Sequence, residues 1–456
     1  MTATAVPVAS PGPEQVLLRA APSAAAALAA PQILIPPAVS VTLGCHPLDL
    51  TPLAAPLAKV AQIEAWLATE LVEREEATRV ALTAMLSGQH AAFIGPPGTA
   101  KSLLILLLAQ AFDLAKFLTL CSPHSKQEDL MGPLRLSQLP HDIYERLTTG
   151  YMPSAQLVFL DEAFNISASL AQTTHRLMNE REFDNGSRTE RAPLIALFGA
   201  SNQIPQTPDS SAFLDRFSFR MYLGYVSRAN FPRLMALYAS RPSGQMLRVL
   251  AHNMPLFASR HGLLTLVPPP VVVDQDELFS LMWAAAHIPI PPSVLSTLDK
   301  LYDELAGRGI YVSDRRWRQS QDALRVNALL DGRGIVTSDD IAVYANMFWT
   351  TREQRVTIAQ IVERLGNPLA TRAIDLRDQA KTAYDAAIAA QADPGLDEGQ
   401  KMHATVEALG KLKQTDERDL PALLLQAQQQ GMASTKIQRA LEAVRGWRKE
   451  LSEYVL

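Results

Sequence analysis

The stretch that most constrains this chain is Gly95-Pro96-Pro97-Gly98-Thr99-Ala100-Lys101-Ser102, followed by Leu103. It reads as a phosphate-binding loop of the G-x-x-x-x-G-K-S class. Its glycines permit a backbone path and a close approach that a Cβ would block. Successive N–H groups then converge on phosphate oxygens at a helix N-terminus, where the helix dipole favours negative charge. Lys101 would reach the β- and γ-phosphates, and the Ser102 hydroxyl would ligate Mg²⁺. The flanks suit this role. His90–Ile94 predicts a short buried strand entering the loop, and Leu103–Gln110 predicts a largely buried helix leaving it.

Further along, Leu157-Val158-Phe159-Leu160 is a four-residue apolar run that predicts a second buried strand. Asp161 and Glu162 follow it directly. In open α/β sheets ligands gather at the carboxyl ends of the strands. Asp161 is therefore the candidate to hold Mg²⁺ through water, and Glu162 the candidate to orient and activate an attacking water. Leu194–Ser201 predicts a third such strand, ending at Asn202, which could bond the γ-phosphate or the lytic water. Arg216 and Arg220, in Phe213–Arg220, are spaced to share one helix face if the segment is helical. Arg216 is the candidate arginine finger, a cation offered to a neighbouring subunit's nucleotide. In Val312-Ser313-Asp314-Arg315-Arg316-Trp317-Arg318, Ser313 or Asp314 is a plausible N-cap. Arg315 would reach across to the nucleotide, and Arg316 and Arg318 read as surface or partner contacts.

Composition narrows the class. A chain of 456 residues suggests two to four domains. A formal net charge of −4 leaves no basic footprint for nucleic acid. Cys45 and Cys121 make neither a disulfide framework nor a metal cluster, which fits a reducing cytoplasm. Residues 19–44 are apolar on average but broken by prolines, so no integral membrane segment is expected. The Ala-rich run near Ala24–Ala30 lacks the basic start of a signal peptide before Arg19.

The organisation read from pattern is as follows. Residues 1–57 form an Ala/Pro-rich arm expected to be disordered, with a possible strand at Gln32–Ile35. Residues 58–226 are an α/β nucleotide-binding core, 227–350 an all-α lid, and 351–456 an α-helical C-terminal extension with Ala-rich and Gln-rich exposed helices. Within the core, residues 58–87 predict one helix closed by Gly88. Glu73 and Arg74 read as its solvated face, with a contribution to a purine pocket as the alternative. Lys116–Cys121 predicts a strand, and 125–156 a helix carrying an inserted hairpin.

Taken together, these residues resemble an AAA+ ATPase of the MoxR group, and most of all its RavA subgroup. The resemblance spans roughly residues 60–350 and rests on several motifs. They are Gly95-Pro96-Pro97-Gly98-x-Ala100-Lys101-Ser102, Tyr144-Glu145-Arg146-Leu147-Thr148-x-Gly150-Tyr151-x-Pro153 and Val158–Glu162. Further ones are Asn179-Glu180-Arg181-x-Phe183-x-Asn185-Gly186, Ala200-Ser201-Asn202 with Asp209-Ser210-Ser211, Asp215-Arg216, and Tyr311–Trp317. It implies Walker A at Lys101 and Ser102, Walker B at Asp161 and Glu162, and sensor 1 at Asn202. It further implies an arginine finger at Arg216 and sensor 2 at Arg315. It also implies ATP and Mg²⁺ as cofactors, a hexameric remodelling machine, and a partner carrying a von Willebrand factor A domain. The Ala/Pro-rich arm departs from the family, and the last hundred or so residues lack the strand pattern of the small module by which some RavA proteins dock a client. Two other readings compete. One is a nucleic-acid-stimulated motor, against which the acidic balance weighs. The other is a scaffold that uses ATP only to assemble, against which Glu162 and Arg216 weigh.

Overall fold

The computed structural model describes residues 46–204, 207–239, 268–392, 395, 397–429 and 434–452. The possible strand Gln32–Ile35, the Asp393-Pro394 pair and lid residues 240–267 lie outside them. Residues 46–57 are not a loose arm. Thr51–Leu53 form a 3₁₀ turn and Ala54 starts the first helix, while Leu48, Leu50, Leu53 and Leu57 pack on the core. Four leucines in ten residues supply enough apolar surface to tie this stretch down.

The single helix predicted over 58–87 is two, α1 (Ala54–Glu70) and α2 (Glu75–Leu86). The apolar period runs on through Leu71 and Val72, both buried, but Glu73 takes a left-handed φ of 57° and turns the chain. Gly88, at φ 64°, closes α2 as predicted. Then come β1 (Ala91–Ile94), α3 (Lys101–Ala111), β2 (Lys116–Leu120), α4 (Gln127–Met131), β3 (Leu157–Asp161) and α5 (Ala168–Glu180). A hairpin of β4 (Glu182–Asn185) and β5 (Arg188–Arg191) precedes β6 (Ala196–Ser201), α6 (Pro208–Leu214) and β7 (Phe219–Tyr222).

Five strands form one parallel sheet in the order β2-β3-β6-β1-β7. The three central strands β3, β6 and β1 are apolar runs buried almost throughout, as a parallel sheet covered on both faces requires. Between α4 and β3 the predicted inserted hairpin is absent among the described residues. A single antiparallel bridge, Leu134 to Arg146, and short 3₁₀ turns stand in its place. Gly132, Pro133, Pro140, Gly150 and Pro153 interrupt every run long enough to make a ladder. The ladder that does form nearby is β4–β5, against which this insertion rests through Arg146 N–H to Asn185 Oδ1 at 2.5 Å.

After α7 (Phe231–Ala239) the lid is built from α8 (Gln275–His287), α9 (Pro292–Ala306), α10 (Asp314–Leu330) and a 3₁₀ stretch, Ser338–Asn346. No single described helix is long and apolar enough to cross a membrane. Helix α11 (Arg352–Gly366) buries Ile358, Ile361 and Val362 in the same apolar cluster as the core and lid, so that cluster extends past 350. The C-terminal helices α12 (Pro368–Ala392), α13 (Glu398–Gln414), α14 (Leu420–Gln429) and α15 (Thr435–Ser452) bury a second cluster of their own. They are thus a packed bundle, centred on Leu412, Leu420, Ile437, Val444 and Leu451, rather than lone exposed helices.

Candidate active site at two edges of the sheet

The phosphate loop leaves β1 at the carboxyl edge of the sheet. Gly95 N–H donates to Ser201 O at 2.9 Å, and a Cβ on Gly95 would stand 2.0 Å from Leu223 O, so only glycine fits there. Gly98 has φ 77°. Ala100 occupies the position at which the loop consensus has glycine, and it too is left-handed, φ 65° and ψ 21°. Alternating handedness of this kind makes a concave nest of N–H groups for an anion. Lys101, buried at the start of α3, folds its Nζ back onto Gly95 O at 2.7 Å and Pro96 O at 3.0 Å. Burial lowers its pKa, and the charges of Asp161 and Glu162 pull the other way.

Asn202 follows β6, the strand paired with β1, and Asp161 ends β3, the next strand over. Glu162 follows at φ 52°. A left-handed glutamate costs about 1–2 kcal/mol, and surrounding bonds must hold it there. Asn202 Nδ2 donates to Glu162 Oε1 at 2.5 Å and Asn165 Nδ2 to Oε2 at 3.4 Å. The structure thus brings Lys101, Ser102, Asp161, Glu162 and Asn202 to one edge. This donor set suits a Mg²⁺–nucleotide: one hydroxyl, one carboxylate and a nest leave the remaining ligand positions to phosphates and water, as Mg²⁺ prefers. No group of three or more ligating side chains occurs among the described residues, so a self-sufficient protein metal cage is absent there.

The arginines are elsewhere. Arg216 and Arg220 do not share a helix face. Arg216 sits in the turn after α6, and Arg220 lies within β7, where it is opposite Ala92 of β1. Arg216 and Arg315 line one cavity of about 410 Å³ with His90, Met178, Asn179, Arg181, Ser218 and Gln319 among its walls. His90 precedes β1, so this cavity opens at the amino edge of the sheet. The five steps from His90 to Gly95 cover about 16 Å of extended chain. Arg315, one residue inside α10, donates to Asn179 Oδ1 at 2.8 Å. Burial lowers its pKa, as does the charge of Arg216. Ser313 holds the N-cap position, but its side chain makes no capping bond.

Arg181, which pattern reading left without a role, is the third cation of this cavity. It donates to Gly88 O at 2.6 Å, and burial lowers its pKa to about 10. The two histidines beside the arginines are held neutral. His90 Nδ1 accepts from Leu197 N–H at 2.9 Å while its Nε2 faces Met178 O at 3.0 Å. Its pKa falls to about 3, through burial and then the charge of Arg181. That of His175 falls to about 4, through burial and then the charges of Arg216 and Arg315. Arg216 Nε and His175 Nε2 have no hydrogen-bond partner among the described residues. Arg316 and Arg220 are not part of this cluster. Arg316 is buried rather than on the surface and pairs with Asp215, and Arg220 reaches Trp349 O at 2.8 Å and Leu214 O at 3.1 Å. Both turn inward, and of the Arg315–Arg318 arginines Arg318 alone is exposed.

Residues 58–245 match the family model of the MoxR domain in the MoxR-vWA-beta-propeller ternary systems, and residues 293–362 match an AAA lid domain. The uncharacterized protein MJ0079 of Methanocaldococcus jannaschii is 30% identical over 319 residues, covering 70% of this chain and 77% of that protein. The uncharacterized protein MJ0812 of the same organism is 29% identical over 309 residues, covering 67% and 76%. Among solved structures, that of a candidate ATPase from Cytophaga hutchinsonii superposes with a TM-score of 0.52 at 18% identity, over 68% of this chain and 94% of that one, a likeness of fold. With a MoxR domain matched over residues 58–245 and an AAA lid domain after it, the chain belongs to the MoxR-type AAA+ ATPases.

Proposed function

We propose that this chain is a Mg²⁺-dependent ATPase that works as a ring, most simply a hexamer, and uses hydrolysis to remodel a protein client in the cytoplasm. The observation that carries this reading is the separation of the arginine cluster from the phosphate loop by the length of a strand. Arg216 and Arg315 face away from the nucleotide edge of their own chain, and a heterologous, head-to-tail contact repeated around a ring would bring them to a neighbour's.

In this reading the backbone of Gly95–Ala100 and Lys101 hold the β- and γ-phosphates, with Leu103 in the first turn beyond. Ser102 and Asp161 are the residues that would hold Mg²⁺, which when bound neutralises charge on the phosphate oxygens. Glu162 accepts the proton of the attacking water, and Asn202, already bonded to Glu162, keeps that carboxylate aimed. Arg216 and Arg315 of the neighbour add positive charge as the phosphoryl group transfers. Lid movement on hydrolysis then drives work on the client.

The family description supports a partner carrying a von Willebrand factor A domain. A RavA-like subgroup fits the Tyr144–Pro153 and Ser313–Trp317 stretches. The test is a pull-down with Glu162→Gln, which should bind ATP, fail to turn it over and retain client and partner. Recovery of a von Willebrand-type protein supports the reading. Turnover that persists in Glu162→Gln contradicts the assignment of the base, and stimulation by DNA contradicts the assignment of a protein client.

A further inference from the structure

Two observations around the phosphate loop are left unused by the reaction. The first is Ala100. It is left-handed where glycine would be free of cost, and for alanine that conformation costs about 1–2 kcal/mol. Strained backbone of this kind persists only where neighbours over-determine it.

The second is Arg74. It sits in the break between α1 and α2 and is 7% exposed, not part of a solvated face. Its Nε–H donates to Thr99 O at 3.0 Å, Nη1 to Glu73 O at 2.6 Å and Nη2 to Gly224 O at 2.7 Å. All three acceptors are main-chain carbonyls, drawn from the loop, from the break itself and from the chain leaving β7. The carboxylate beside it, Glu73, is engaged elsewhere. It accepts from Ser227 N–H at 2.7 Å, from Asn230 Nδ2 at 2.6 Å and from the Ser227 hydroxyl. Those bonds fix the backbone that carries Arg74.

In a trans peptide the C=O and the following N–H point in opposite directions. Drawing Thr99 O toward Arg74 therefore turns the Ala100 N–H away from Arg74, toward the concave side of the loop where phosphate oxygens collect.

We propose that Arg74 is a positioning residue of the phosphate loop: it locks the Thr99–Ala100 peptide so that an alanine can serve where the consensus needs glycine. The proposal rests on the nucleotide-binding reading of Gly95–Ser102.

The experiment is a double-mutant cycle on the full chain, read by titration with a fluorescent ATP analogue and Mg²⁺. Arg74→Met should weaken binding about tenfold or more, the scale of a lost hydrogen bond to a charged group. Ala100→Gly alone sets the affinity against which the double variant is read, since glycine takes the left-handed conformation unaided. Arg74→Met with Ala100→Gly should recover most of the lost affinity, a rescue that a purely structural arginine would not give. Arg74→Lys, a compact charge without the fork, should lie between wild type and Arg74→Met. If Arg74→Met does not fold, Arg74→Lys with and without Ala100→Gly carries the same test. Unchanged affinity in Arg74→Met, or a double variant as weak as the single one, overturns the proposal. Failure of the wild-type chain to bind the analogue overturns the nucleotide reading instead.

Discussion

The two edges of the sheet differ in charge and in how they hold it. The carboxyl edge gathers Lys101 with Asp161, Glu162 and Asn202, so opposite charges and polar partners already meet there, and Glu162 is bonded in place. The amino edge gathers Arg181, Arg216 and Arg315 around two neutral histidines, and Arg216 leaves one nitrogen unbonded among the described residues. Arg315, its pKa lowered by burial and then by the charge of Arg216, has no carboxylate bonded to it among the described residues and lines a cavity that would suit an anion. Asp215, the nearest acid, is engaged by Arg316 and Arg220. The difference teaches that one chain keeps a polar edge with bonded partners apart from a cationic edge, the division on which the proposed ring rests.

The largest effect expected from this division is on Arg216. Arg216→Ala should lower turnover about 10³–10⁵-fold, the range for an arginine finger, while ATP affinity stays near wild type. A comparable loss of affinity would mean that Arg216 serves its own chain's loop. At the other edge, Glu162→Gln should lower kcat about 10²–10⁴-fold with binding retained, the scale of a lost general base. Steady-state kinetics paired with a binding titration separates the two outcomes.

Neighbouring arginines should then part company. Arg316→Ala leaves Asp215 with its buried partner removed and should cost about 1–3 kcal/mol, read as a lower denaturation midpoint. Arg315→Ala should leave that midpoint near wild type and lower turnover. If both variants lose stability alike, the cavity is a structural pocket and not a waiting anion site.

A smaller effect follows from the neutral histidines. Both folded-state pKa values lie below the free value, near 3 for His90 and 4 for His175. In the window between these values and 6.5, the unfolded chain binds more protons than the folded one. Their contribution to stability is therefore complete above about pH 6.5 and is lost as pH falls toward 4. His175→Phe should flatten part of the fall in melting temperature between those limits. An unchanged slope would show that His175 is charged in the folded chain.

The carboxyl edge was legible in the sequence because its parts announce themselves locally. Apolar runs such as Leu157–Leu160 end in Asp161-Glu162, and the loop motif sits between a strand and a helix. The amino edge was not, because its parts are set by distant contacts. Arg216 and Arg220 have helical spacing, yet the pairing of β7 with β1 places them on different elements. Arg315 and Arg316 are adjacent, and the twist of α10 alone sends one to the cavity and the other to Asp215. Arg74 read as solvent-facing because Leu71 and Val72 continue the helical period. The break comes from Glu73, held by Ser227 and Asn230 more than 150 residues away. The β4–β5 hairpin escaped notice because β5, Arg188–Arg191, is exposed throughout and carries no apolar alternation.

The division between the two edges is tested most directly by mixing. Lys101→Ala has a dead loop and an intact arginine edge; Arg216→Ala has the reverse, and each alone should be inactive. A one-to-one mixture, exchanged between subunits, should recover about a quarter of wild-type turnover, because a quarter of randomly formed head-to-tail contacts pair two intact halves. A mixture as inactive as its components would contradict the account.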